Sequence, residues 1–495
     1  MCPRGTCSRA LRRSPVTAEI WMVSAEARPL AQTGGLADVL SALPDALARR
    51  GHAVRRFLPA YGFIDRSGFE RETEEPAVPL GPAHVPAGFL SRREPGGVVT
   101  TLVENAELFG RASIYGPPGG EYPDNARRFT FLARAVCEWA KRQARRPDIL
   151  HVHDWHAALV PLLVRLGRAG EPSPRTVLTI HNLGYQGEFP ARELDWLFLS
   201  EAERRQVFHV DGIEFYGGIN FLKAGIVYSD ALTTVSPTYA REILTPEFGC
   251  RLDGLLRWQT GKLRGILNGA DYTRWDPSSD ATLLHPYGPE TLARKADSAR
   301  ALRERLHLPA SDRPIMGVVS RLAHQKGIDV LTNSVERLLE EGADLAVLGS
   351  GEQAIVDHLE WLRHRHPDRI GITIGYDESL SHLVIAGSDL LLIPSRYEPC
   401  GLTQMYAMRY GTLPVVTRTG GLADTVRDSP DPSHATGFFL DDLSPGSLVA
   451  TVRRALALRW VDPSAWRRRQ RNAMAEDFSW DLAASRYSEL YAQLL

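Results

Sequence analysis

The chain has 495 residues, more than one ordinary core can organise, so two large domains are expected. With 43% hydrophobic and 24% charged residues and a formal net charge of -1, it reads as a globular protein with no electrostatic reason to bind nucleic acid or an anionic membrane. Five scattered cysteines without a Cys-x-x-Cys pair indicate neither a disulfide framework nor a zinc site and fit a reducing cytoplasm, and no apolar run approaches the roughly 20 residues of a membrane span.

Residues 1–18 carry Arg4, Arg9, Arg12 and Arg13 but no acid, lack the apolar centre of a secretory signal, and are expected to form a disordered tail. Residues 19–24 read as a first buried strand. Leu36, Val39, Leu40, Leu43 and Leu47 then recur at helical spacing up to Gly51, with a kink expected at Pro44. Where that helix opens stands Thr33-Gly-Gly-Leu-Ala-Asp38, and the same hexapeptide recurs at Thr419-Gly-Gly-Leu-Ala-Asp424, again between a strand and a helix. A first helical turn offers unpaired N–H groups and the positive end of the macrodipole, so glycines there admit a phosphate or sugar oxygen. A tight strand-to-helix turn is the other use of the same residues.

Strands follow at 53–59 and at 98–104, the latter in a hairpin after Pro95-Gly96-Gly97. Runs at 148–153, 175–181 and 230–236 alternate with helical stretches, the rhythm of a parallel sheet covered on both faces. The rhythm restarts after Arg264-Gly-Ile-Leu-Asn-Gly269, with strands expected at 315–320, 344–348, 370–375, 389–394 and 413–417. From Phe478-Ser-Trp480 onward, Ala483, Tyr487, Leu490 and Tyr491 mark an amphipathic terminal helix. The expected fold is α/β, two doubly wound Rossmann-like domains facing across a cleft, with boundaries at 19–262, 263–477 and a returning helix at 478–495.

The unusual polar residues fall at the carboxyl ends of these strands, where such sheets bind ligands. Arg321 and Lys326 flank one turn and together match the charge of a diphosphate; only five of the 58 basic residues are lysine, so Lys326 stands out. Glu398 precedes a helix start, placed to accept hydrogen bonds from sugar hydroxyls and to stabilise positive charge at an anomeric carbon. His181-Asn182 opens the flexible loop Leu-Gly-Tyr-Gln-Gly187. His151-Val-His153-Asp154-Trp-His156 has the composition of a metal cluster, but its residues divide between a strand face and a turn, so no metal is expected. Gly349-Ser-Gly351-Glu-Gln-Ala354 satisfies a dinucleotide pattern and supports a rival reading as a nicotinamide-dependent oxidoreductase, on the second rather than the first strand of its domain.

Taken in order, Ser24-Ala-Glu26 with the first hexapeptide, His153-Asp-Trp-His156, Thr179-Ile-His-Asn182 with Tyr185-Gln-Gly187, Asn220-Phe-Leu-Lys-Ala-Gly225, Thr234-Val-Ser-Pro237, Ser320-Arg-Leu322 with Gln325-Lys-Gly327, and Glu398-Pro-Cys-Gly-Leu-Thr-Gln404 with the second hexapeptide resemble the bacterial glycogen synthases and plant starch synthases. These are retaining glucosyltransferases of the two-domain GT-B fold. The resemblance implies transfer of glucose from ADP-glucose to the non-reducing end of an α-1,4-glucan such as glycogen, in the cytoplasm and without a metal or other cofactor. Carried over, Arg321 and Lys326 hold the diphosphate with amides near Gly34, Gly35, Gly420 and Gly421 and with Thr419. Tyr376 stacks on the adenine, and Glu398, His181 and Asp154 hold the transferred glucose. Asn182, Asp38, Lys223, Cys400, Gly401, Leu402 and Thr403 complete the substrate positions. The terminal helix is expected to pack on the first domain.

One departure stands out: the family's lysine before the first Thr-Gly-Gly is Gln32 here. An amide keeps hydrogen bonding and loses the Coulomb attraction, so weaker donor binding is expected. A UDP-glucose donor, a small acceptor, and a catalytically silent glucan-binding protein are the remaining alternatives.

Overall fold

The computed structural model describes residues 17–117 and 119–495. All but the last two residues of the expected tail lie outside them. The described chain divides into two compact units, one holding residues up to Leu178, Tyr185–Ala231 and Ala484–Leu495, the other Thr179–Gly184 and Leu232–Ala483.

A nine-stranded sheet runs in the order Leu263–Gly265, Ala231–Thr234, Arg175–Ile180, Ile149–His153, Glu19–Val23, Ala53–Pro59, Val99–Glu104, Gly88–Arg93 and Glu70–Arg71. Glu19–Val23 pairs in parallel with Ala53–Pro59 and Ile149–His153, and Ala53–Pro59 with Val99–Glu104; the far edge is antiparallel. The hairpin expected at 95–97 forms: Gly97 takes φ +89° and its N–H donates to Glu94 O at 2.9 Å. Trp21, Phe57, Phe89 and Trp139 form an aromatic core on one face of this sheet, with Trp139 stacked on Phe89 at 5.1 Å and tilted against Trp21 at the same distance. Contacts of this kind contribute about 0.5–1.5 kcal/mol each beyond the area they bury.

The helix Gly35–Arg49 buries Leu36, Val39, Leu40, Leu43 and Leu47 and runs through Pro44 as one element. Proline has no N–H to give Leu40 O, and Arg56 Nη1 supplies that carbonyl instead, at 2.8 Å. Two small antiparallel sheets had no signal in the periodicity: the hairpin Ala77–Leu80 with Ala83–Pro86, and Glu188–Pro190 with Gly218–Asn220 and Glu214–Phe215. At its end the chain forms the helix Trp480–Leu494, whose Ser488 and Tyr491 hydroxyls bond His52 Nε2 at 2.9 Å and His151 Nδ1 at 2.7 Å.

The six-stranded sheet is parallel throughout, in the order Ile370–Ile374, Asp344–Gly349, Ile315–Val319, Leu390–Ile393, Leu413–Val416 and Phe438–Phe439. The strand that comes first in the chain lies in the middle, and chain order reverses between Ile315–Val319 and Leu390–Ile393. In the first sheet the reversal falls between Glu19–Val23 and Ile149–His153. Such switch points are where doubly wound sheets take ligands. Leu302, Leu380 and Val384 from the covering helices form one core cluster with Ile315, Ala346 and Leu348 of the six-stranded sheet. Asp344, fully buried, is matched by Arg303 at 2.7 Å, Arg313 at 2.9 Å and Arg369, which satisfies the charge that burial would otherwise penalise.

Candidate active site

The loops leaving the two switch-point strands of the six-stranded sheet are fastened to each other. Arg396 N–H donates to Gln325 O at 2.9 Å, and the Arg396 guanidinium grips Asp329 with two bonds of 2.7 and 2.8 Å. Gly327 makes this approach possible: it adopts φ +66°, and a Cβ there would stand 1.8 Å from Pro394 O. The result is a buried ion pair, with Lys326 Nζ donating to Glu398 Oε2 at 2.6 Å while Ser395 Oγ donates to the same oxygen at 3.0 Å. The two side chains are only 18% and 10% exposed. Arg321 lies exposed on the same loop, its Nη2 donating to Gln325 Oε1 at 3.0 Å. Two cations and one carboxylate are thus concentrated where the sheet order reverses, an arrangement suited to holding two phosphate charges beside a polar ring.

The residues after Glu398 serve mainly to shape its loop. Gly401 takes φ +69°, Cys400 is buried with its thiol pushed up to about 12 by desolvation, and Gln404 Nε2 bonds Cys400 O and Gly401 O. Leu402 and Thr403 open the helix Thr403–Arg409. Tyr376 follows Ile370–Ile374 and is 73% exposed; Asp377 beside it caps the next helix through Leu380 N at 2.9 Å. In the loop after Arg175–Ile180, Asn182 Oδ1 accepts from Gly184 N at 2.9 Å, and a Cβ on Gly184 would lie 3.5 Å from Tyr397 Oη. Burial lowers the His181 imidazole to about 3, so it is neutral near pH 7 and offers hydrogen bonds rather than charge.

The second hexapeptide packs onto the Glu398 loop. Gly420, at φ +43°, would place a Cβ 1.9 Å from Glu398 O, and Gly421 would place one 2.1 Å from Cys400 O; Gly421 N donates to Glu398 O at 3.1 Å. Thr419 Oγ1 and Gly420 N both donate to Glu242 Oε1 at 3.0 Å. In this structure the Gly420 and Gly421 amides therefore already have protein acceptors.

The first copy is built differently. Glu26 Oε2 accepts from Thr33 N at 2.6 Å and Gly34 N at 3.0 Å, and its other oxygen from Tyr115 Oη at 2.5 Å. Desolvation raises the Glu26 carboxyl above its usual range against the pull of those bonds. Gln32, Gly34 and Gly35 are exposed, and a Cβ on either glycine would meet no described atom within 4 Å. Asp38 pairs with Arg28 at 2.8 Å. Asp154, at the end of the neighbouring switch-point strand, is buried with φ +55°, a conformation whose strain gathers at functional positions. Lys223 is spent on the fold: its Nζ donates to Val210 O and Glu214 O, both at 2.5 Å.

Sequence reasoning missed Glu242 and the Arg396–Asp329 clamp, because each acts across a long separation in the chain with no local pattern. Glu26 stood in a quoted motif, but nothing in the sequence announced that it would cap the first hexapeptide. Gly349 and Gly351 acquire a packing explanation: Cβ atoms there would fall 2.0 Å from Ser320 O and 2.1 Å from Leu322 O, and Glu352 N donates to Leu322 O at 2.8 Å. Among the described residues no group of three or more His, Cys, Asp and Glu is arranged around a metal position, and no helix is long and apolar enough to cross a membrane.

Residues 19–258 match the model of the starch synthase catalytic domain, and residues 302–475 that of glycosyl transferases group 1. The chain is 43% identical over 481 residues to glycogen synthase 2 of Geobacter sulfurreducens, covering 96% of this chain and 98% of that one. It is 45% identical over 483 residues to a glycogen synthase of Alkalilimnicola ehrlichii, with the same coverage. Among solved structures, the catalytic domain of starch synthase IV from Arabidopsis thaliana, bound to ADP and acarbose, superposes with a TM-score of 0.89 at 33% identity over 97% of this chain and 99% of that one. Sucrose-phosphate synthase from Thermosynechococcus elongatus, at 20% identity, 96% and 99% coverage and a TM-score of 0.61, shares the fold.

Proposed function

The chain belongs to the glycogen synthase and starch synthase family, glycosyltransferases built from two Rossmann-like domains, and from that premise we propose that it moves glucose from ADP-glucose to the non-reducing end of an α-1,4-glucan, with retention of configuration and release of ADP. The observation that carries this reading is the Lys326–Glu398 pair, 2.6 Å apart at the switch point with Arg321 on the same loop. Before the donor enters, the ammonium and carboxylate neutralise each other. A diphosphate draws Lys326 and Arg321 to itself and offsets the charge that grows on ADP as the glycosidic bond breaks, leaving Glu398 to face the glucose.

Glu398 is not required as a covalent nucleophile in this scheme. Front-face attack within an ion-pair-like transition state retains configuration, with the leaving phosphate assisting deprotonation of the acceptor hydroxyl. His181, held neutral, and Asp154 contribute hydrogen bonds to the sugar, and Tyr376 stacks on the adenine. Gly34 and Gly35 support a donor-side role for the first hexapeptide, because among the described residues no packing demands glycine at either position. Incubation with ADP-glucose and glycogen is expected to release ADP and lengthen the glucan. Absence of both rejects the reading, and comparison of initial rates with UDP-glucose, and with maltose in place of glycogen, tests the donor and acceptor assignments.

A further inference from the structure

We propose that Tyr216 is a stacking platform for the α-glucan acceptor, presented by a rigid hairpin; the inference rests on the glucan acceptor of the proposed function. Tyr216 is 77% exposed and adopts φ +51°, and Gly217 follows at φ +81°. Together they form the two-residue turn between Glu214–Phe215 and Gly218–Asn220. Such turns favour asparagine, aspartate or glycine at their first position, and a bulky aromatic in the left-handed region is strained. An aromatic ring held there in solvent therefore opposes both local conformational preference and burial. Sites that break local rules in this way are where function is to be sought.

The hairpin under the ring is fastened at several points. Glu214 Oε1 accepts from Gly217 N at 2.7 Å, Lys223 Nζ grips Glu214 O and Val210 O, and the Phe215 ring meets Tyr216 edge-to-face at 4.7 Å. At the opposite end of the same small sheet, Asn220 Nδ2 donates to Gln186 Oε1 at 2.6 Å and Leu222 N to Gln186 O at 3.0 Å. These bonds fix the turn relative to Tyr185, itself 52% exposed. The strand rise puts the turn about 10 Å beyond Asn220, a span of a few sugar units. A glucan is uncharged, and its pyranose rings present C–H faces that stack on aromatic rings. An exposed tyrosine on a stiff support suits such an uncharged ligand.

The test compares Tyr216→Asn, which suits the left-handed turn, with Tyr216→Phe, which keeps the ring. Retardation of each protein in gels containing glycogen reads binding independently of activity, and initial rates give KM for glycogen and for ADP-glucose. Tyr216→Asn is expected to weaken retardation and to raise the glycogen KM by about threefold to tenfold, with the ADP-glucose KM unchanged and Tyr216→Phe close to wild type. Equal retardation and equal glycogen KM in Tyr216→Asn overturn the platform while leaving glucosyl transfer intact. A wild-type protein that binds glycogen but releases no ADP overturns the proposed reaction, and the retardation of the two variants still decides the role of Tyr216.

Discussion

The N–H of the first glycine in each hexapeptide donates to a glutamate at 3.0 Å, Gly34 to Glu26 and Gly420 to Glu242. An anion approaching either amide meets a carboxylate, so the task of attracting the diphosphate falls on side-chain cations. Lys326→Ala removes a charge already positioned at the site and is expected to lower kcat by about 10²–10³. Glu398→Gln, which leaves Lys326 without its counter-charge, is expected to lose activity to a similar order, and ADP release at saturating donor that stayed at the wild-type rate in either variant would remove the site assignment. Gln32 stands exposed beside the first copy, and Gln32→Lys is expected to lower the donor KM by roughly threefold to tenfold through one partly screened contact. An unchanged or higher KM would show that another group has taken over the lost charge.

Identical hexapeptides are folded into elements for different reasons. In the second copy glycine is a steric necessity, since the Glu398 and Cys400 carbonyls occupy the space a Cβ would need, whereas in the first copy that space is open. The short helix Gly420–Thr425 is also joined to Pro237–Glu242 by a reciprocal exchange: Glu242 accepts from Gly420 N, and Asp424 accepts from Thr238 N at 2.8 Å and Thr238 Oγ1 at 2.7 Å. Each carboxylate thereby satisfies donors in the first turn of the other helix. At the Gly327 turn the same logic is most severe. Gly327→Ala would force Cβ into Pro394 O in a backbone region that disfavours it, and is expected to cost about 1–3 kcal/mol while separating Lys326 from Glu398. Urea unfolding together with donor KM checks this, and a variant matching wild type in both would show that the two loops do not depend on their close approach.

Across the whole molecule, Lys295 joins Lys223 in serving the fold rather than the substrate. Lys295 is buried, donating to Ala386 O at 2.6 Å and Thr412 Oγ1 at 2.5 Å, and desolvation lowers its pKa to about 7. Below pH 7 it is charged in both the folded and unfolded states, and the folded protein bears the cost of burying that charge. Between about 7 and the ordinary lysine value of 10.5, only the unfolded chain retains the proton, so this group makes stability rise with pH. Lys295→Met is therefore expected to compare best with wild type at or below pH 7 and progressively worse toward pH 10, by a few kcal/mol at most. Thermal unfolding of both proteins across that range tests it, and a pH-independent difference would mean that the ammonium is already compensated.

The strands 53–59 and 315–320, the helix after Thr33 and the terminal amphipathic helix were legible in the sequence because short-range periodicity and turn residues specify them. The Trp480–Leu494 helix shows the limit of that legibility: its apolar face could be read, but not the bonds from Ser488 to His52 and from Tyr491 to His151. Ordered motifs likewise singled out Glu398, Lys326 and both hexapeptides. Only the tertiary structure decided that Lys326 pairs with Glu398, that Arg56 replaces the bond missing at Pro44, that Glu242 and Glu26 occupy equivalent glycine amides, and that Lys223 holds backbone carbonyls. The physical reason is the range of the interactions: local preference acts over a few residues, whereas a buried charge or amide takes whichever partner the folded sheets bring within about 3 Å, however distant in the chain.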